Sequence, residues 1–393
     1  MVRRLFIKNN NGKFEMKKLL MGIICFAWAA VSAQEKVNVT LNVVSPTLDD
    51  TSKIYVAGNV RALGSWQPNK IQLNKATKDI WGVTVSVDKG TRLEYKFTKG
   101  SWANEALGSD SSIPQNTTFV ANNDTTVLAT IFNWRDNFNF KVNGQITGKV
   151  FYHKGFMFDG LKPRDIFVWL PPNYDEQKEK RFPVFYMHDG QNLVDPRTSN
   201  TFIDWQADEV ADSLIRAGEV EPFIIVGMNN TDDRGTEYNN THLGKLYERL
   251  VVEKIKPFID ANYRTLTDAK NTAVGGSSMG GLISMLFAWD YPNVFSKAAC
   301  FSPAFKFTNY NYVNVVAEDK SPKKDLLLYI DNGGVGLETI LQPGVDEMVN
   351  VLKEKGYVEN KDFQIFIDKQ AEHNEAAWAK RIWRPIKFFF GKK

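Results

Sequence analysis

Residues 272–289 read TAVGGSSMGGLISMLFAW: an apolar run, then four glycines and two serines around Met279, then an apolar segment of helical length. This is the pattern of strand, sharp turn and helix. Gly276-Ser277-Ser278-Met279-Gly280 fits G-x-S-x-G with Ser278 central, a turn that holds a serine in strained backbone at the end of a strand. Gly276, Gly280 and Gly281 leave room for strand and helix to approach. A helix starting here also points its free N–H groups at any negative charge developing on a substrate. Ser278 is therefore the candidate nucleophile, with Ser277 a structural neighbour.

On either side of this stretch lie short, strongly apolar runs: FVWL, FPVFYM, FIIVGM, KAACF, LLLYI and FQIFI. Helical patterns such as YERLVVEKIKPFIDANY and VDEMVNVLKEKGY fall between them. Strand alternating with helix predicts an α/β unit, a mostly parallel sheet covered on both faces. The grammar differs from Lys36 to about Asn133, where VNVTLNVV, KIYVAG, IWGVTVSV, RLEYKF and TTVLATIF alternate apolar with polar residues between Gly, Asn and Asp clusters. That predicts a small all-β sandwich ahead of the α/β unit. The expected units are residues 34–134 and 135–393, joined near WRDNFNFKVNGQ.

A serine needs a base, and behind a turn of this kind the chain order is serine, acid, histidine. Of four histidines, His153, His188 and His242 precede Ser278, which leaves His373, on the loop after FQIFI. Two carboxylates follow LLLYI. Asp331 stands at the expected end of that strand, and Glu338 lies past the glycine-rich NGGVG. Glu338 is the favoured acid, because a flexible loop can carry it to the histidine, while Asp331 suits a turn cap. The expected oxyanion donors are the N–H of Met279 and that of Gln191, with Gly190 next, in the loop His188-Asp189-Gly190-Gln191-Asn192. One histidine beside one aspartate, without a second ligand at helical spacing, makes a weak metal site, so no metal or other cofactor is expected. Trp205, Asn229, Tyr310 and Tyr312 fall in or near loops on the same side.

The amino terminus reads as a secretory leader: Lys17 and Lys18, an apolar run from Leu19 to Val31, and Val31-Ser32-Ala33 before the expected cleavage. Nothing upstream of Met16 has a foldable pattern, which places the expected translation start there. Beyond residue 33 the chain carries 43 Lys and Arg against 44 Asp and Glu. Near-neutrality removes the case for nucleic acid or an anionic membrane as partner, and the apolar run is too short for a comfortable membrane span. Export to the periplasm, cell surface or medium is the expectation. Only Cys300 remains after the leader, so the chain must be held by its core.

PVFYMHDGQNLVDP, IIVGMNNTDDRGTEY, KIKPFIDANYRT, AVGGSSMGGLISM and AEHNEAAWAKRIW together resemble the serine esterase family of feruloyl and acetyl-xylan esterases, enterochelin esterases and mycolyl-transferring antigens. The resemblance runs from about Thr147 to the end and implies an α/β-hydrolase fold. It also implies Ser278, Glu338 and His373 as nucleophile, acid and base, although the family's usual acid is Asp, which keeps Asp331 as the alternative. KIYVAGNVRALGSW, DIWGVTV and LEYKFTKGSW resemble the starch-binding, or family 20, carbohydrate-binding module. That implies glucan stacking by Trp66, Lys96 and Trp102, since flat aromatic rings suit the apolar faces of sugars. Ala103 stands where that family has an acidic residue. The combined expectation is an exported serine esterase acting through an acyl-enzyme on carbohydrate-linked feruloyl or acetyl esters. Hydrolysis of a siderophore or other small-molecule ester is one alternative, and a non-catalytic carbohydrate-binding protein with a vestigial hydrolase fold is the other.

Overall fold

Val37, Val39, Leu41 and Val43 alternate with polar residues along Lys36–Val44, and that period of two buries one face of a sheet. In the computed structural model these four side chains are at most 5% exposed. The structure describes residues 34–392 apart from 50, 110–112, 115, 138–141, 308 and 309, together with two short paired strands, Ile7–Lys8 and Phe14–Glu15. The remainder of the leader read over residues 1–33 lies outside the described residues.

Two four-stranded sheets build the front domain. Lys36–Val44 pairs antiparallel with Ile80–Asp88 and parallel with Thr125–Thr130, and Tyr55–Gly58 pairs antiparallel with Thr91–Thr98. Trp81, Tyr95 and Trp134 fill the space between the sheets. Trp134 also donates its indole N–H to Ser45 Oγ at 3.1 Å.

The second unit is one eight-stranded sheet: β1 (Lys149–Phe156), β2 (Arg164–Leu170), β3 (Val184–His188), β4 (Ile224–Met228), β5 (Thr272–Ser277), β6 (Lys297–Phe301), β7 (Leu327–Gly333) and β8 (Phe363–Asp368). Their spatial order is β1-β2-β4-β3-β5-β6-β7-β8. β1 and β2 are antiparallel additions at one edge, and β4 through β8 run parallel. The central strands are apolar throughout because both faces are covered. Along β3, Val184 and Tyr186 enter one core, Phe185 and Met187 the other.

Helix α1 (Ala207–Arg216) follows β3, and α2 (Arg234–Glu237), α3 (His242–Leu250) and α4 (Lys256–Asn262) connect β4 to β5. Next come α5 (Met279–Asp290), α6 (Tyr312–Glu318), α7 (Leu337–Glu354), α8 (Glu375–Ala379) and α9 (Trp383–Phe390). YERLVVEKIKPFIDANY reads as a single helix, yet α3 and α4 are separated by a wider turn over Val251–Ile255, ahead of Pro257, which has no N–H to give. Among the described residues no helix is long and apolar enough to cross a membrane.

Candidate active site

Ser278 falls between the last residue of β5 and the first of α5, with φ 58° and ψ −118°, a conformation an L-residue adopts only under constraint. The constraint is visible. Ser278 N–H donates to Phe301 O at 2.9 Å, and Ala304 N–H donates to Ser278 O at 3.0 Å. A Cβ at Gly276 would stand 3.0 Å from the Gly280 carbonyl carbon and from His188 Cβ, so any side chain there would push the strand and helix apart. With its own N–H engaged, Ser278 leaves the next amide, that of Met279 in the first turn of α5, without an intrahelical acceptor.

The loop after β3 turns on Asp189, which sits in the left-handed region at φ 56°. A side chain at Gly190 would collide with the β4 backbone, 2.6 Å from Gly227 C and 2.7 Å from Met228 N. Gln191 is fixed through Oε1, which accepts Asn230 N–H at 3.2 Å, and through its carbonyl, which accepts the Thr198 hydroxyl at 2.6 Å. Its buried Nε2 has no partner among the described residues.

One residue ties this loop to the serine turn. Arg234 donates to both Asp189 oxygens at 2.7 Å and to Ser277 O at 3.3 Å. Asn230 Nδ2 adds a bond to Asp189 at 2.6 Å, and the Asp189 N–H reaches Tyr238 Oη at 3.3 Å. The guanidinium holds the buried Asp189 carboxyl below the usual range against the upward push of burial. His188 is buried with Nδ1 2.8 Å from Tyr247 Oη, and burial lowers it to about 3, so its ring is neutral.

His373 lies on the loop between β8 and α8, its ring edge-on to Trp378 at 4.9 Å. Its Nδ1 stands 3.3 Å from Glu338 Oε1, an ion-pair distance without hydrogen-bond alignment. Glu338, in the first turn of α7, is fully buried and accepts the Ser302 hydroxyl at 2.7 Å. Burial pushes its carboxyl up, but His373, Ser302 and the Gly333 N–H outweigh that and leave it below the ordinary value. The segment 301–304 thus joins the two halves: Phe301 and Ala304 hold Ser278, and Ser302 holds the carboxylate that faces His373.

Asp331 is elsewhere engaged. β7 runs on to Gly333, so Asp331 lies inside the strand and caps no turn. It accepts Arg381 at 2.9 and 3.3 Å and Tyr329 Oη at 3.0 Å. Of the loop residues named from sequence, Trp205 and Tyr312 are buried, and Tyr310 donates its hydroxyl to Met279 Sδ at 2.8 Å. Sequence reading missed Arg234, Ser302, Arg381 and Trp378. The first had a signal, an arginine in DDRGTEY matched to the aspartate of HDGQN; the others carry none.

In the front domain Trp66 and Trp102 are half-buried, with ring centroids 6.4 Å apart and planes inclined at 43°. Lys96 is less free than the resemblance implied, since its ammonium pairs with Glu105 at 3.0 Å.

Residues 162–386, more than half of the chain, match the family model described as "Putative esterase". The chain belongs to that esterase family. Residues 36–130 of the esterase match the starch binding domain model. The chain is 26% identical over 200 residues to the endo-1,4-beta-xylanase/feruloyl esterase of Xylanibacter ruminicola, an overlap of 48% of this chain and 25% of that protein. It thus spans about a quarter of that relative's length. It is 31% identical over 77 residues to the amylopullulanase of Thermoanaerobacterium thermosulfurigenes, 18% of this chain and 4% of the relative. The structure of a ferulic acid esterase superposes with a TM-score of 0.51 at 21% identity, covering 62% of this chain and 98% of that one, a likeness of fold. The α/β esterase fold behind an all-β front domain agrees with the class expected from sequence.

Proposed function

We propose that the protein is an exported serine ester hydrolase acting on carbohydrate-linked esters. The single observation that carries this reading is the serine held at positive φ beside segment 301–304, which also anchors the Glu338 carboxylate facing His373. In the reaction, Ser278 Oγ attacks the ester carbonyl while His373 takes its proton, and the oxyanion is met by the N–H groups of Gln191 and Met279. Glu338 holds the imidazole and stabilises its charged form, remaining ionised throughout. His373 returns the proton to the departing alcohol, and water, activated by the same base, releases the acid and restores the serine. Lys17, Lys18 and the apolar run after them support export.

The test compares the wild-type protein with Ser278→Ala on p-nitrophenyl acetate, methyl ferulate and acetylated xylan. The expected outcome is turnover by the wild type and a loss of at least about a thousandfold in kcat in the variant. Equal rates from the two proteins would refute the serine mechanism. Turnover of p-nitrophenyl acetate with neither plant ester accepted would move the substrate to a small-molecule ester.

A further inference from the structure

The front domain meets the catalytic unit at two places, one through the loop that bears Trp66 and the other through Arg135, which is bonded to Glu105 at the end of the short helix that bears Trp102. At the first place the loop bearing Trp66 lies against α2. Ser65 and Trp66 both have positive φ, 51° and 63°. A Cβ at Gly235 would stand 3.2 Å from Ser65 O and 4.0 Å from Trp66 Cβ, and Gln67 Nε2 is 3.4 Å from Thr236 Oγ1. This is the helix whose Arg234 bonds Asp189 and Ser277 O.

At the second place Arg135 bridges the domains. It donates to Glu105 Oε1 at 3.2 Å and to Ser199 O at 3.4 Å, with its guanidinium 4.7 Å over the Phe202 ring. Glu105 is the residue that closes the short helix Trp102–Asn104, and it also holds Lys96. Thr201, in the loop that Arg135 touches, donates to Glu375 at 3.0 Å, two residues after His373. The aromatic pair is thereby connected to the oxyanion side through α2 and to the histidine side through residues 199–202. A module that only tethered the enzyme would need neither contact.

We propose that Trp66 and Trp102 form one composite site with the surface around Ser278, which takes a single ester-bearing gluco-oligosaccharide: sugar rings stack on the indoles while the acylated residue reaches the serine. The proposal rests on the esterase reading above. Two indoles inclined at 43° suit a chain that turns from ring to ring, as an α-linked glucan does, better than a flat two-fold chain, which would call for a coplanar platform; the match to the starch binding domain model favours the α-glucan.

The test measures kcat/KM for partially acetylated maltoheptaose and for p-nitrophenyl acetate in the wild type, Trp66→Ala, Trp102→Ala and Trp66→Phe. The ratio of the first substrate to the second is expected to fall about tenfold in each alanine variant, as for loss of a buried aromatic anchor, and to recover in part with phenylalanine. An unchanged ratio overturns the composite site, and an equal fall with acetylated xylohexaose overturns the choice of an α-glucan. If the wild type hydrolyses neither substrate, the esterase reading fails, and hydrogen exchange with unacylated maltoheptaose still decides this one. Protection of residues 199–202 and 234–237 together with the front domain supports the composite site, and protection confined to residues 36–130 overturns it.

Discussion

Asp331 and Glu338 are both fully buried and both bonded by Ser302, whose N–H donates to Asp331 at 3.0 Å and whose hydroxyl donates to Glu338 at 2.7 Å. Their surroundings then diverge. Asp331 is paired directly with the Arg381 guanidinium, and burial still leaves its carboxyl raised; among the described residues Glu338 has His373 as its direct ion-pair partner, with Arg381 one residue further off behind Ser302, and its carboxyl is lowered. A carboxylate already matched by a guanidinium gains little when a neighbouring ring becomes charged. One facing a neutral ring stabilises the imidazolium as it forms. The acid of such a site is thus marked less by its own burial than by the absence of a permanent cation paired directly with it.

Exchanging the two carboxylates for amides is the strongest way to break this comparison. Glu338→Gln should lower kcat on p-nitrophenyl acetate by about ten-thousandfold, because the amide cannot favour the required tautomer or the charged ring. Its melting temperature should move little. Asp331→Asn should behave in the opposite way, losing about 3–5 kcal/mol in urea unfolding as Arg381 is left buried without its anion, with a far smaller change in kcat of the folded fraction. If Asp331→Asn proved the slower enzyme and Glu338→Gln the less stable protein, the roles assigned to the two residues would have to be exchanged.

Ser278 and His373 stand out in the sequence because three of the four histidines precede Ser278 and the elbow has a local signature of glycines. Both units were legible for a similar reason, since the periods that distinguish Lys36–Val44 from Val184–His188 are local. In the sequence, the flexible loop and the turn-cap reading of Asp331 favour Glu338 while the family's usual Asp keeps Asp331 open; what makes the surroundings of the two carboxylates differ is Arg381, fifty residues beyond Asp331 and invisible to any local pattern. Lys96 shows the same limit from the other direction. The lysine that the resemblance assigns to the sugar is paired with Glu105, nine residues on, across a turn whose geometry no spacing rule encodes.

The oxyanion side offers a finer test, because Arg234 does for Asp189 what Arg381 does for Asp331 while also reaching the serine turn. Arg234→Gln should reduce kcat by about a hundredfold with a smaller change in KM, the signature of donors displaced from the developing charge. Arg234→Lys should restore only part of the rate, since an ammonium supplies charge without the fork that grips both Asp189 oxygens. Were the loss to appear wholly in KM, Arg234 would belong to substrate binding and the clamp would not be positioning the amides.

The smallest expected effect comes from a third group of carboxylates, which among the described residues is paired with neither a guanidinium nor an imidazole. Asp204, Asp208 and Glu209 bring one oxygen each within 4.8 Å of one another at the start of α1. Asp208 accepts the Thr147 N–H at 2.6 Å through one oxygen, and its other oxygen is buried beside Glu209 with no aligned hydrogen-bond partner among the described residues. Burial, with Glu209 beside it, pushes Asp208 up to about 8 from an ordinary 3.8. The sign follows from which state holds the proton. Between about pH 4 and pH 8 the folded protein keeps it and the unfolded chain has lost it, so stability declines as pH rises through that window and levels off above it. Asp208→Asn retains an acceptor for Thr147 and removes the titration. Urea midpoints at pH 5 and pH 8 should therefore lie closer together in the variant than in the wild type, by the equivalent of about 2 kcal/mol. A wild-type midpoint that does not fall over this range would mean that the group already has its counter-charge. Asp208 would then stand with Asp331, and not apart from both Asp331 and Glu338.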